Sequence, residues 1–164
     1  MKKMLAMLML LCVLVMPFSA MAEADAEIPG DVYVLEDLGL EIWIPEGLDF
    51  LEVSDKDAEN GVLYTLTDDE KTCAMVVVAL KIEGKTMEQL VAEATEDGMT
   101  EIDVVEINGI PAIAYKAEAE NMGCVALVDV ENGVMVVFSF TPFDTEEAQA
   151  LFALIMSSVT PAEN

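Results

Sequence analysis

The chain has 164 residues and a formal net charge of −25, with 32 acidic residues against 7 basic ones and no histidine. All seven basic residues are lysine, so with neither His nor Arg the chain lacks the residues for Ser-His or Cys-His nucleophilic catalysis and for a Cys/His zinc site. Neutralising phosphates takes clustered basic residues, so nucleic acid is excluded as a partner and anionic membrane surfaces are disfavoured.

Residues 1–22, MKKMLAMLMLLCVLVMPFSAMA, carry every element of a secretory signal peptide. Lys2 and Lys3 form the basic region, residues 4–16 the apolar run, and Ala20-Met21-Ala22 the small-x-small cleavage signal. The run is shorter than the about 20 residues a bilayer-spanning helix needs. Cleavage after Ala22 is therefore expected, with a secreted or extracytoplasmic product that does not span the membrane. Cys12 lies inside the apolar run and lacks the small preceding residue of a lipidation site. The exported part holds all 32 acidic residues and only Lys56, Lys71, Lys81, Lys85 and Lys116, a net charge of −27. Solubility and self-repulsion account for such acidity; the functional alternative is attraction of a cation or a basic partner.

An acidic leader, EADAEIPG, occupies residues 23–30, and a single domain is expected over 31–160, with 161–164 as a frayed tail. DVYVLED (31–37) and LGLEIWIP (38–45) read as strands, the second alternating Leu38, Leu40, Ile42 and Ile44 against Gly39, Glu41 and Trp43. PEGL makes a turn, DFLEVS (49–54) is a weaker strand, and SDKDAENG reads as an acidic loop. GVLYTLT (61–67), the turn DDEK and TCAMVVVALKI (72–82) follow. Cys73, Met75, Val77 and Ala79 alternate with Ala74, Val76, Val78 and Leu80, so both faces of the last strand are expected to be covered.

Thr86-Met87-Glu88-Gln89 has capping-box spacing and opens a helix with Leu90, Val91 and Ala94 as its stripe and Gly98 at its end. IDVVEI (102–107), Asn108-Gly109 and IPAIAYKAEAE (110–120) form a hairpin, since a type I′ turn needs φ > 0 at both central residues. CVALVDV (124–130), Asn132-Gly133 and VMVVFSF (134–140) read as a second hairpin of the same kind, its last strand buried on both faces. A final helix is expected with Asp144 as its cap and Ala148, Leu151, Phe152, Ile155 and Val159 on its apolar face.

The order IWIPEG, TMEQL, INGIPAIAY, VVFSFTP and LIMSSV resembles the PsbP-like fold of the photosystem extrinsic protein, the Ran-binding Mog proteins and small exported bacterial proteins. The resemblance covers nearly all of 31–160. It implies an α+β domain in α/β/α layers, an antiparallel sheet sandwiched between helices. It further implies a non-catalytic binding or interaction protein with no cofactor, since its motifs are turn chemistry and no catalytic residue carries over.

Two alternatives stay open. With 32 carboxylates a small glycosidase-like hydrolase is conceivable, though no pair stands out, and Trp43 and Tyr115 would be the ligand-contacting aromatics. A weak calcium site would draw on Asp55, Asp57 and Glu59 with Asp68 and Asp69. Against it, Gly61 falls seventh in that loop where an EF-hand has Gly sixth, and the twelfth residue is Leu66 rather than Glu. The partner expected is thus a protein, a cation or an envelope component. Cys73 and Cys124 permit one disulfide, worth roughly 4 kcal/mol in the chain-entropy model. Both begin strands: if those strands are antiparallel neighbours the thiols lie at opposite ends of the sheet, if parallel neighbours the thiols could meet, and because antiparallel pairs are the commoner, two unbridged thiols are expected.

Overall fold

The computed structural model describes residues 28–162. The expected signal peptide, the first five leader residues and the last two tail residues lie outside the described residues. Among the described residues ten strands and three α-helices follow one another: β1 (Gly30–Leu35), β2 (Leu40–Pro45), β3 (Asp49–Leu51), α1 (Asp55–Glu59), β4 (Val62–Thr67), β5 (Ala74–Lys81), α2 (Met87–Glu96), β6 (Thr100–Ile107), β7 (Ile110–Ala117), β8 (Met122–Asp129), β9 (Val134–Thr141), α3 (Glu146–Ser157) and β10 (Thr160–Pro161). The fold class is α+β, and the strands form two antiparallel sheets, a seven-stranded one in the order β3-β4-β5-β9-β8-β7-β6 and a three-stranded one in the order β1-β2-β10.

The large sheet has two apolar faces. On one, Met75, Val77, Val125, Leu127, Phe138 and Phe140 pack with Phe152, Ile155 and Met156 of α3 and with Leu40, Ile42 and Ile44 of β2. On the other, Ile113, Cys124, Ala126, Val128 and Val137 pack with Leu90 of α2. In β8 and β9 both sets of the alternation are consumed, as their composition predicts. In β5 they are not. Met75 and Val77 are buried, whereas Val76 and Val78 are half-exposed and Leu80 is exposed, because α2 does not extend over that half of the sheet.

Local chemistry explains the elements. Thr86 Oγ1 accepts the Gln89 amide at 3.4 Å while Gln89 Oε1 accepts the Thr86 amide at 2.9 Å, completing the capping box. At its other end the Gly98 and Met99 amides donate to Thr95 and Ala94 carbonyls, the Schellman pattern. Between β6 and β7, Asn108 has φ 49° and Gly109 φ 86°, the two positive values of the type I′ turn, with Ile107 opposite Ile110.

Several expectations need correction. The acidic loop at 54–61 contains α1, because Ser54 Oγ accepts the Asp57 amide and nucleates a turn of helix. Asn132-Gly133 is not a two-residue turn: Asp129 pairs with Val134, leaving a four-residue loop in which Asp129 binds the Asn132 amide and side chain at 2.9 and 2.7 Å. The cap of α3 is Thr145, whose hydroxyl accepts the Ala148 amide at 3.1 Å, one residue beyond the expected Asp144. The tail begins as structure: Thr160 and Pro161 pair with Glu41 and Leu40, and the Ala162 amide donates to Gly39 O at 2.9 Å.

Cys73 and Cys124 are free thiols, but not because their strands are antiparallel neighbours. β9 lies between β5 and β8, so these two strands run parallel and start at the same end. Two strand spacings, about 10 Å, separate them. The thiols also belong to opposite faces, Cys73 with the α3 cluster and Cys124 with the α2 cluster. Both facts put a bridge out of reach.

Candidate functional site

A hollow of roughly 640 Å³ opens between the β6–β7 hairpin and α3. Its floor is apolar: Val105, Ile107, Ala114, Phe152 and Met156, all part of the α3-side cluster. Its rim carries Glu101, Asp103, Glu106 and Lys116 together with Asn108 and Gln149.

Each rim group is placed by identifiable local chemistry. Register slips between Thr100 and Asp103, and within that bulge Glu101 has φ 49°. Bulges re-aim side chains, and here Glu101 Oε2 comes within 2.8 Å of Lys116 Nζ. The Lys116 ammonium also lies 5.9 Å from the centre of the Phe143 ring. Phe143 is fixed from three sides. Its amide donates to Asn121 Oδ1 at 3.0 Å and its carbonyl accepts from Gln149 Nε2 at 3.1 Å. Its ring lies against Gly123, where a Cβ would fall 2.5 Å from ring carbons, so the position must be glycine. Asn108 does more than make its turn. Its Nδ2 donates to Ser157 O at 2.9 Å and to Val159 O at 2.7 Å, tying the hairpin tip to the end of α3. The last carbonyls of a helix lack intrahelical partners, and this amide supplies one.

The cleft suits binding better than acid–base chemistry. Glu101, Asp103 and Glu106 are all exposed, whereas a carboxyl recruited as a general acid needs burial to hold its proton. The thiols are equally unsuited to attack. Burial pushes Cys124 up, with its Sγ donating to Ser139 Oγ at 3.6 Å, and burial followed by the Asp68 charge pushes Cys73 up.

The aromatic residues proposed from sequence fall on different surfaces. Tyr115 borders the cleft, but its side chain packs with the α2-side cluster opposite Cys124, and burial, then Cys124, pushes its phenol well above the usual value. Trp43 is half-buried at a separate shallow hollow formed with Ile28, Pro29, Leu154 and Ser158, its amide donating to Ser158 Oγ at 2.9 Å. Of the acidic candidates, Asp55, Asp57 and Glu59 lie on α1, and Asp68 and Asp69 in the β4–β5 turn. Asp68 is already engaged: backbone donation from Cys73, then the Thr72 hydroxyl, lowers it to about 2. Among the described residues no three His, Cys, Asp or Glu side chains gather as a metal cluster.

The cleft residues themselves escaped the sequence reading. Glu101 and Lys116 are ordinary charges on separate strands until pairing and a bulge bring them together. Asn108 had a signal that pointed to the turn alone, and Tyr115, expected as a ligand-contacting aromatic, borders the cleft while its ring packs with the α2-side cluster.

No family model matches the chain, and no curated protein matches its sequence. Among solved structures it is similar to the solution structure of cyanobacterial PsbP (CyanoP) from Synechocystis sp. PCC 6803. The TM-score is 0.58 at 13% identity, over 84% of this chain and 95% of that one. A crystal structure from Bacteroides thetaiotaomicron VPI-5482 gives a TM-score of 0.51 at 10% identity, over 82% of this chain and 49% of that one. The Saccharomyces cerevisiae Ran-binding protein Mog1p gives 0.48 at 13% identity, over 83% and 97%. The fold is therefore PsbP-like, as the order of sequence elements suggested; at these identities the likeness concerns architecture and not the site. Among the described residues no helix is long and apolar enough to cross a membrane.

Proposed function

We propose that this is an exported, non-catalytic binding domain. In it the large sheet is layered between α2 on one side and α3 with the small sheet on the other, and the β6–β7/α3 cleft receives a basic, apolar segment of a protein partner. The observation that carries the reading is the pairing of an apolar floor, Val105, Ile107, Phe152 and Met156, with a rim on which the carboxylates of Glu101 and Asp103 outnumber the single ammonium of Lys116, itself paired with Glu101. An apolar side chain entering the floor would bring a neighbouring lysine or arginine to the rim. Clefts that bind ligands commonly combine an apolar lining with a few placed polar groups. Export rests on the residues 1–22 pattern and fits the strongly acidic composition.

The test is a titration of the purified protein with the blocked tripeptide Leu-Phe-Lys and its Leu-Phe-Glu counterpart, followed by NMR at Val105, Ala114 and Met156. The lysine peptide should shift these signals and the glutamate peptide should not, with the difference shrinking as salt rises. Equal or absent responses would sink the reading. Turnover of a nitrophenyl glycoside that Glu101→Gln or Glu106→Gln abolishes would overturn the non-catalytic part. For export, the intact mass of protein recovered outside the cytoplasm should correspond to a chain starting at Glu23.

A further inference from the structure

Sheet edges present unpaired amides and carbonyls, and proteins ordinarily guard them. Among the described residues there are four such edges. β3 is three residues long, and β10 is two residues long and contains Pro161. β6 is broken by its bulge and studded with the exposed Glu101, Asp103 and Glu106. β1 carries a single charge, Asp31 near its start, and none of the other devices. It runs six residues in unbroken register with β2, from Gly30 opposite Pro45 to Leu35 opposite Leu40, with neither proline nor lysine. Its other side has no partner strand among the described residues. Two of its aliphatic side chains stand in solvent, Val32 64% and Val34 54% exposed, and Tyr33 packs edge-on against Phe50 at 5.1 Å between centroids.

We infer that β1 is a strand-addition site, and that its occupant is an extended, basic segment of another protein, in a mode independent of the cleft. A strand pairing with β1 would gain a ladder of main-chain hydrogen bonds. Its alternate side chains would flank Val32 and Val34 on one face and Tyr33 on the other. Charge selects the occupant. Asp31, Glu36, Asp37, Glu41 and Glu46 surround the strand, and none of Lys56, Lys71, Lys81, Lys85 and Lys116 lies on the small sheet. A second copy would bring the same Asp31, Glu36 and Asp37 against these, on a body that already carries a large negative charge. A segment alternating β-branched and cationic residues meets neither penalty.

The experiment uses a blocked octapeptide of alternating valine and lysine, with two controls: the same peptide N-methylated at alternate backbone amides, and a valine–glutamate version. Binding is followed by amide NMR and hydrogen exchange of the purified protein. The valine–lysine peptide should bind one to one and slow exchange within Gly30–Leu35. N-methylation should weaken it about tenfold or more, since it removes main-chain donors and keeps every charge. Val34→Lys, which installs the missing guard at an exposed position, should weaken it equally without moving the denaturant midpoint. Three results would overturn the inference. One is equal binding of the N-methylated peptide, which would mean charge alone. Another is perturbation at Val105, Ala114 and Met156 instead of β1, which would credit the cleft. The third is a concentration-dependent dimer, detected by sedimentation, that protects β1 and excludes the peptide.

Discussion

The two faces of the large sheet are both apolar, yet they are finished differently. The face under α3 is sealed by a helix and by a second sheet, with Phe138, Phe140, Ile42 and Ile155 all essentially inaccessible. The face under α2 is sealed over β6, β7, β8 and β9, and Val76, Val78 and Leu80 of β5 remain partly or largely in solvent. Apolar alternation on both sides of a strand thus shows that both faces can be buried, not that both are. Covering depends on the reach of a ten-residue helix, about 15 Å.

The sharpest way to break this contrast is truncation at each centre. Phe138→Ala, beneath α3, should cost about 3–5 kcal/mol, read from denaturant midpoints. Leu90→Ala, the single buried residue of α2, should cost about 2–3 kcal/mol, and should release hydrogen exchange in α2 before the α3 side. An equal or larger loss than for Phe138→Ala would mean that the α2 face is the true keystone.

A third variant separates packing from tethering. Asn108→Ala removes both donations to the end of α3 and leaves a less suitable residue at φ 49°, so about 1–2 kcal/mol should be lost. Asn132→Ala, in the superficially similar second turn, should cost visibly less because its contacts are confined to Asp129.

The turn leading into β5 gives a pH signature. Asp68, at about 2 in the fold, lies below its usual value because Cys73 and Thr72 donate to it. A depressed carboxylate contributes stability above its unfolded pKa and loses that contribution as pH falls through the folded one. Stability should therefore decline between about pH 4 and pH 2, and Asp68→Asn should flatten that limb in an acid titration followed by circular dichroism. Smallest of all, Val78→Thr on the uncovered half should change stability by no more than about 0.5 kcal/mol. A cost near 2 kcal/mol would show that something covers this face in solution.

Much of this architecture is legible in the chain. Thr86 and Gln89 announce α2, Asn108-Gly109 announces its turn, and the Val/Phe alternation of 134–140 announces a doubly buried strand. What escapes is whatever depends on pairing order. Nothing local to Cys73 or Cys124 says that β9 intervenes, and nothing local to TPA says that it will lie beside Leu40. The split into two sheets is invisible for the same reason. The cleft was hidden most deeply, because its members acquire meaning only through the bulge at Glu101 and the seat of Phe143 on Gly123.

The small sheet has a mechanical consequence. β1 and β10 both run antiparallel to β2, the first entering beside Pro45 and the second leaving beside Leu40. Tension applied through Gly30 and Pro161 therefore pulls along the strands in opposite senses. Ladder hydrogen bonds lie across the strands, so they are loaded together in shear instead of being unzipped one at a time. β10, with two residues, yields first, and β1 holds until its ladder ruptures as a unit. A domain strung between two attachment points by these ends would behave as a clamp with a weak latch on one side and a strong one on the other.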